Sequence, residues 1–530
     1  MRHALCGAET TRHSGGKAVF MIPVCSAPQA AALDACAIHE FHIPSLILME
    51  HTCQAIAREA LAQNAKRYVC FAGPGNNGAD ALAAARLLSL ENRPVVICMD
   101  PGARLSEEER VQLSICKSLS IPLFSLDYEL QENDLIIDGL FGNGLSRPVT
   151  GRYAACIDAI NQARKDKGCF VLAIDVPSGL NASSGRILGT AVQADLSVVL
   201  GSWKTGCFLN NGPALCGRLV FGSIGMPEDC LKILDHPIWM LDSKAAAAML
   251  PERSDFSFKN RFSHALIAAG SLQMQGAACM AADACLKGGI GLLSMYVPQG
   301  AAQIVMSKLS MPMITPAASD SSGFFARQAA KGLALAAEKC DVVLFGNGVG
   351  LGDGSLAMLK AVLSLNKPTV IDADGITLLA KNLNLLEGRT APLILTPHLG
   401  EFSRLAGLSA ANPDFDVFLL AHAFCKKYPF VTLVVKSDFT LICSEEERYF
   451  LFHPTSALAK GGSGDSLAGL CTALLACCKT PAQAGALAAW ICNEAAHRCR
   501  QSAWSVSQKE IARHFSDVFL SLSEAESHSF

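Results

Sequence analysis

Short apolar runs rich in β-branched residues recur along this 530-residue chain, each followed by a stretch whose apolar positions carry helical spacing. Runs at 68–72, 95–99, 135–137, 170–174 and 196–200 form one series. A second series lies at 265–268, 292–297, 342–345, 369–371, 393–395 and 431–435. A strand apolar at every position must be buried on both faces, and helices between such strands supply the cover. The pattern therefore predicts parallel α/β sheets. The alternation stops and restarts, so two α/β domains are expected, at 21–235 and 251–530, with a junction over 236–250 and a flexible tail over 1–20. This length is ample for two buried cores. Segments 440–442 and 449–452 flank Glu445-Glu446-Glu447 and predict a hairpin with a charged tip. Helices are expected to start at Ser26-Ala27-Pro28 and to run over 466–478 and 481–500. The halves share no evident repeat.

Composition narrows the function class. A net charge of -3 gives no bulk attraction for polyanions, so nucleic acid is not expected as a partner. The 22 cysteines include no C-x-x-C pair and are scattered through apolar segments. They read as small buried hydrophobes in a reducing compartment, including the doublet Cys477-Cys478 as core filler. No zinc spacing is present. The longest apolar candidate, 467–478, is far short of the ~20 residues that span a bilayer. Lys17 precedes a short apolar run that Pro23 interrupts, which is unlike a secretory signal. A cytoplasmic protein without a membrane partner is the expectation.

Ligands of parallel α/β sheets bind at the carboxyl ends of strands. Two glycine-rich turns sit there, Gly73-Pro74-Gly75-Asn76-Asn77-Gly78-Ala79-Asp80 and Gly461-Gly462-Ser463-Gly464-Asp465, each leading into a helix. Glycine lets backbone N–H groups approach a ligand, and a helix start adds partial positive charge. In the first half Asp138 and Asp175 each follow a strand and should face the same crevice as the Gly73 turn. Asp100 also ends a strand, as a turn residue or a third carboxylate. Asn77, Asp138 and Ser178 offer hard oxygens suited to an alkali or alkaline-earth cation, or else a hydrogen-bonded turn network without metal. In the second half Asp465 stands beside a set of glycine N–H donors. That arrangement suits proton removal from a hydroxyl during phosphoryl transfer. Lys436 and the segments Asp372-Ala373-Asp374-Gly375 and Thr396-Pro397-His398-Leu399-Gly400-Glu401 also follow strands.

The segments GPGNNGAD, DGLFGNGLSRPVTG and IDVPSG, in this order, resemble the NAD(P)H-hydrate epimerase family. The resemblance implies a Rossmann-like three-layer fold that interconverts the R and S forms of hydrated nicotinamide cofactors. It also implies that Asn76, Asn77, Gly78, Ala79, Asp80, Gly142, Asn143, Gly144, Leu145, Ser146, Arg147 and Pro148 hold the hydrate. Potassium would be bound by Asn77, Asp138 and Ser178, with Asp175 as acid/base. Ala79 stands where that family usually has glycine, which matters if the position needs a positive φ.

The segments AGSLQMQGAA, GNGVG, DADGITLLA, LTPHLGEF, VVKSDFT and AKGGSGDSLAG resemble the ribokinase-like ADP- or ATP-dependent NAD(P)H-hydrate dehydratases over most of residues 265–475. Under that resemblance Asp465 is the base and the amides of Gly462, Ser463 and Gly464 form the anion hole. Ala277, Gly348 and His398 would contact the hydrate, and Lys436, Ser437, Asp438, Phe439, Thr440 and Gly464 the nucleotide, which brings magnesium. The chain departs from the family at Lys259-Asn260-Arg261-Phe262-Ser263, Ser437, Thr455 and Lys460.

The expected function is epimerisation of hydrated NAD(P)H and ADP-dependent dehydration of the S form to NAD(P)H, giving AMP and phosphate. The alternatives are a small-molecule kinase fused to a non-catalytic ligand-binding module, and a paralogue with two inactive halves. A homo-oligomer is left open. Structural readings stand beside several candidates. Glu107-Glu108-Glu109-Arg110 reads as a solvated helix face, Glu401 as a helix cap, and Met274 and Met280 as packing; His398 could equally be a structural hydrogen-bonding residue.

Overall fold

The computed structural model of the chain describes residues 21–409, 411–412 and 415–527. The tail expected at 1–20 lies outside the described residues. The rest divides into two units, one over Ile22–Ile238 and one built from Trp239 onward.

The first unit holds β1 (Pro23–Cys25), β2 (Tyr68–Ala72), β3 (Val95–Met99), β4 (Leu123–Phe124), β5 (Leu135–Gly139), β6 (Phe170–Ile174), β7 (Leu196–Leu200), β8 (Trp203–Lys204) and β9 (Arg218–Gly222). Its main sheet runs β4-β3-β2-β5-β6-β7-β9 and every pairing is parallel. β1 and β8 form a further parallel pair outside this sheet. The apolar runs are explained by two-sided burial. In β2, Tyr68, Cys70 and Ala72 enter one core cluster while Val69 and Phe71 enter the other. Strand order reverses between β2 and β5, and that switch point opens a crevice at their carboxyl ends.

The second unit holds β10 (Ile238–Met240), β11 (His264–Ala268), β12 (Leu292–Pro298), β13 (Met313–Ala317), β14 (Val342–Phe345), β15 (Thr369–Ile371), β16 (Leu393–Leu395), β17 (Val431–Lys436), β18 (Thr440–Cys443) and β19 (Arg448–Leu451). Their order is β13-β12-β11-β14-β15-β16-β17-β18-β19-β10, with a switch point between β11 and β14. Pairing is parallel except at β17–β18 and β18–β19, where the expected hairpin forms.

Some expectations differ from the structure. Residues 236–250 are not an open junction: β10 pairs with β19, and the helix Ser243–Met249 buries Ala245, Ala246 and Met249 in the C-terminal core. The helix expected at 466–478 spans Ser463–Leu475. Its earlier end leaves Cys477 exposed and Cys478 partly buried, so the doublet is not core filler. Among the described residues no helix is long and apolar enough to cross a membrane.

Candidate active sites

In the first unit the chain leaves β2 through Gly73-Pro74-Gly75 and enters the helix Asn76–Leu90. The turn is tight. A β-carbon on Gly78 would collide with the carbonyl oxygen of Gly73. Gly75 N donates to Glu109 Oε2 at 3.0 Å, and the same oxygen accepts from Ser106 N at 2.7 Å. Glu109 is fully buried. The acidic run is therefore only partly a solvated face: Glu107 and Arg110 are exposed, but Glu109 closes a capping box with Ser106 and braces the glycine turn, while Glu108 Oε1 accepts the Ser45 hydroxyl at 2.7 Å. The S-x-x-E spacing is the sequence signal that marks this role. Ala79 lies inside the helix, is buried, and has no positive φ, so its methyl group does not strain the loop.

Around this turn is a cavity of about 570 Å³. It collects Asn76, Asn77, Asp80, Asp175 and residues 142–147. Gly78, Ala79 and Pro148 do not line it. Asp175 has φ of 65°, a left-handed backbone uncommon for a residue with a side chain. Its carboxylate accepts from Leu200 N at 3.1 Å and pairs with Lys204 Nζ at 2.6 Å. Lys204 is buried and also lines the cavity. Sequence reading missed this lysine, although it ends the short strand β8 as Lys436 ends β17. Burial, together with the Asp175 and Asp34 carboxylates, raises the Asp80 pKa well above the ordinary carboxylate range.

Asp138 does not open onto the cavity as expected. It is fully buried behind it, with Oδ1 accepting from the Ser178 hydroxyl at 2.6 Å and Oδ2 from Ser178 N at 2.8 Å. Burial outweighs these bonds and pushes its pKa up to about 6. The Ser178 hydroxyl also accepts from Phe141 N at 2.8 Å, which ties the pair to the cavity wall. Asn77 approaches through Gly142, where a β-carbon would lie 2.8 Å from Asn77 Oδ1. Its Nδ2 is buried without a hydrogen-bond partner. Asp100 makes a turn, accepting from Gly102 N at 3.0 Å and pairing with Arg152 at 2.6 Å.

In the second unit Gly462 adopts φ of 94° as the cap of the helix Ser463–Leu475, and the Met280 sulfur fills the space where its side chain would go. Asp465 lies in the first turn. Asn347, just past β14, donates from Nδ2 to Asp465 Oδ1 at 2.8 Å and to Asp372 Oδ2 at 2.8 Å. Asp372 Oδ1 in turn accepts from Thr396 Oγ1 at 2.7 Å and pairs with Lys436 Nζ at 3.1 Å. That ammonium sits 3.2 Å from where a β-carbon on Gly464 would be, so it faces the glycine turn. Burial raises the Asp465 pKa, with Asp372 adding to the shift while Asn347 and Lys436 oppose it. Burial also opposes the Lys436 ammonium, yet Asp372 and Glu401 outweigh it and the pKa ends above the usual lysine value.

His398 caps the helix Leu399–Ala406: its Nδ1 accepts from Gly400 N at 3.0 Å, and Glu401 Oε2 accepts from His398 N at 2.9 Å. Glu401 is thus the cap partner its sequence suggested, and the His398 ring stays 59% exposed with Nδ1 engaged. The backbones of His398 and Lys436 pair directly. Ala277 and Gly348 adjoin: a β-carbon on the glycine would lie 3.3 Å from that of Ala277. Two of the sequence departures, Ser437 and Lys460, are absorbed, whereas Ser263 is held at φ of 61° and ψ of 168°, a backbone conformation that favours glycine. Ser437 needs no positive φ. Lys460 Nζ donates to the carbonyls of Trp504 at 3.0 Å and Val506 at 2.7 Å. Phe439 is buried and stacks on Phe418, so only its backbone is open to a ligand.

Known proteins share both halves. The family described as NAD(P)H-hydrate dehydratase matches residues 265–516, and the family described as YjeF-related protein N-terminus matches residues 45–206. A bifunctional NAD(P)H-hydrate repair enzyme of Moorella thermoacetica is 31% identical, covering 88% of this chain and 90% of its own. One from Gloeobacter violaceus is 35% identical over 82% and 85%. An ADP/ATP-dependent NAD(P)H-hydrate dehydratase structure from Bacillus subtilis aligns at a TM-score of 0.47 and 25% identity, covering 53% of this chain and 98% of that one. With its two strand-end sites and this similarity along nearly its whole length, the chain belongs to the family of bifunctional NAD(P)H-hydrate repair enzymes.

Proposed function

We propose that the first unit epimerises R and S hydrates of NADH and NADPH, and that the second dehydrates the S form with ADP. The observation that carries this reading is the placement of Asp465 beside the Gly462 turn, at hydrogen-bonding distance from Asn347 and one residue from the glycine facing Lys436. In this reading Asp465 takes the proton of the hydrate hydroxyl as that oxygen attacks the terminal phosphoryl group of ADP. The bond from that phosphorus to the bridging oxygen breaks and AMP leaves. Phosphate leaves one ring carbon of the phosphorylated hydrate and a proton leaves its neighbour, which restores the nicotinamide double bond. The N–H groups of Gly462, Ser463 and Gly464 stabilise the transferring charge, and the segment 436–440 receives the nucleotide. Ala277, Gly348 and His398 border the hydrate.

Magnesium brought with the diphosphate would neutralise part of its charge. Both Asp372 oxygens already accept hydrogen bonds, and Asn347 engages Asp465 Oδ1, which leaves Asp465 Oδ2 for the reacting hydroxyl.

In the first unit Asp175 acts as acid/base on the hydrate, and Lys204 holds its carboxylate in place. In this reading Asn76, Asn77, Asp80 and residues 142–147 form the hydrate pocket. Asp138 is a buried carboxylate with no cationic side chain paired to it among the described residues, and Asn77 brings an amide to the same loop. Asn77, Asp138 and Ser178 therefore fit a monovalent cation such as potassium, which would balance that charge.

The test is recovery of NADH absorbance from the S hydrate with ADP or ATP. Wild type should recover it, and Asp465→Asn should reduce the rate by about a thousandfold or more. Undiminished recovery by Asp465→Asn would overturn the assignment.

A further inference from the structure

Asn347 is fully buried between two acidic side chains and belongs to neither glycine turn nor any strand. Both of its neighbours, Asp372 Oδ2 and Asp465 Oδ1, are carboxylate oxygens at 2.8 Å from the same nitrogen. Ionised carboxylates only accept, so the amide must turn its NH₂ toward them and use one hydrogen for each. The arrangement has a cost: Asn347 Oδ1 is buried without a partner. A side chain that leaves its own oxygen unpaired in order to bridge two carboxylates is serving those carboxylates.

Asp372 could not take over this role. It is already held by Thr396 and Lys436, and as a second negative charge it disfavours ionisation of Asp465. The charged groups acting on Asp465 are Asp372, Asp374 and Lys436, with Glu401 acting on Lys436 in turn. Among these, the Asn347 hydrogen bond is a neutral donor that favours the charged base and fixes its orientation.

Resting on the reading of Asp465 as the base, we infer that Asn347 is a positioning residue for dehydration, which orients Asp465 and keeps it in its proton-accepting form. It touches Asp465, not the reacting atoms, and its effect is transmitted through that carboxylate.

The experiment uses the full-length chain with the variants Asn347→Leu and Asn347→Ser, following ADP-dependent NADH recovery from the S hydrate across pH. Loss of a charge-assisted hydrogen bond should lower kcat about tenfold or more, leave KM for ADP within about twofold, and move the acid limb of kcat to higher pH. The upward move follows because removing a donor to the ionised form raises the Asp465 pKa. Asn347→Ser retains a smaller donor, should lose less, and carries the test if Asn347→Leu does not fold. Wild-type kcat with an unmoved acid limb in a folded variant overturns the inference. So does a fall in kcat with an unmoved limb, because a packing defect alone would give that. Asp465→Asn, measured in parallel, separates the two ideas: if it still turns over, the base assignment fails, whatever Asn347 does.

Discussion

At the scale of single residues, both sites hold carboxylates in settings that oppose their charge. The folded-state pKa of Asp465 is raised, so its ionised form burdens the fold at pH values above that pKa and not below the unfolded value. Asp465→Asn should therefore be more stable than wild type at pH 8 while lacking dehydratase activity. The difference should shrink as pH falls toward the unfolded carboxylate value, which denaturant melts at several pH values would read. Asp175 and Lys204 form a buried pair, and removing one partner strands the other. Lys204→Met should cost on the order of 3–5 kcal/mol of stability and slow epimerisation about a hundredfold or more. The double change Asp175→Asn with Lys204→Met should recover much of the stability and none of the epimerase activity.

At the scale of elements, the glycine turn of the first unit is held from outside by a side chain of the next helix but one. Glu109 accepts from Gly75 N, and without it that N–H loses its partner. Glu109→Ala should cost about 1–3 kcal/mol, raise KM for the R hydrate, and leave the dehydratase unchanged. In the second unit Gly462→Ala should abolish dehydration, because the backbone is left-handed there and the Met280 sulfur occupies the side-chain space.

Elements buried on both faces were legible in the sequence. β2, β3, β6 and β7 match their apolar runs residue for residue. β13 escaped notice because it is an edge strand with Met313 half exposed, and β9 because its side chains are only partly buried. Lys204 escaped because β8 has two residues, too few to show a period. Glu109 looked like surface because acidic runs usually are. Its burial depends on a turn 34 residues away in the chain. Asn347 lies within the GNGVG segment, but its role is visible only once Asp372 and Asp465 meet in space.

At the scale of the whole molecule, each half supplies what the other needs. A dehydratase specific for the S hydrate strands the R form, and an epimerase returns it to the pool. The family relationship covers both halves in one alignment, as with the Moorella thermoacetica enzyme over 484 residues. The two activities should be separable by single substitutions, because the residues assigned to each lie within one unit. Potassium should affect only the first step: replacing it with a large organic cation should slow epimerisation and leave S-hydrate dehydration at its full rate.

The most direct test is a time course of NADH recovery from mixed R and S hydrates with ADP, for wild type, Asp175→Asn and Asp465→Asn. Wild type should run to completion at an enzyme-dependent rate. Asp175→Asn should stop after the S fraction and continue only at the spontaneous epimerisation rate, and Asp465→Asn should recover essentially none. Completion by Asp175→Asn at the wild-type rate, or recovery by Asp465→Asn, would contradict the two-site account.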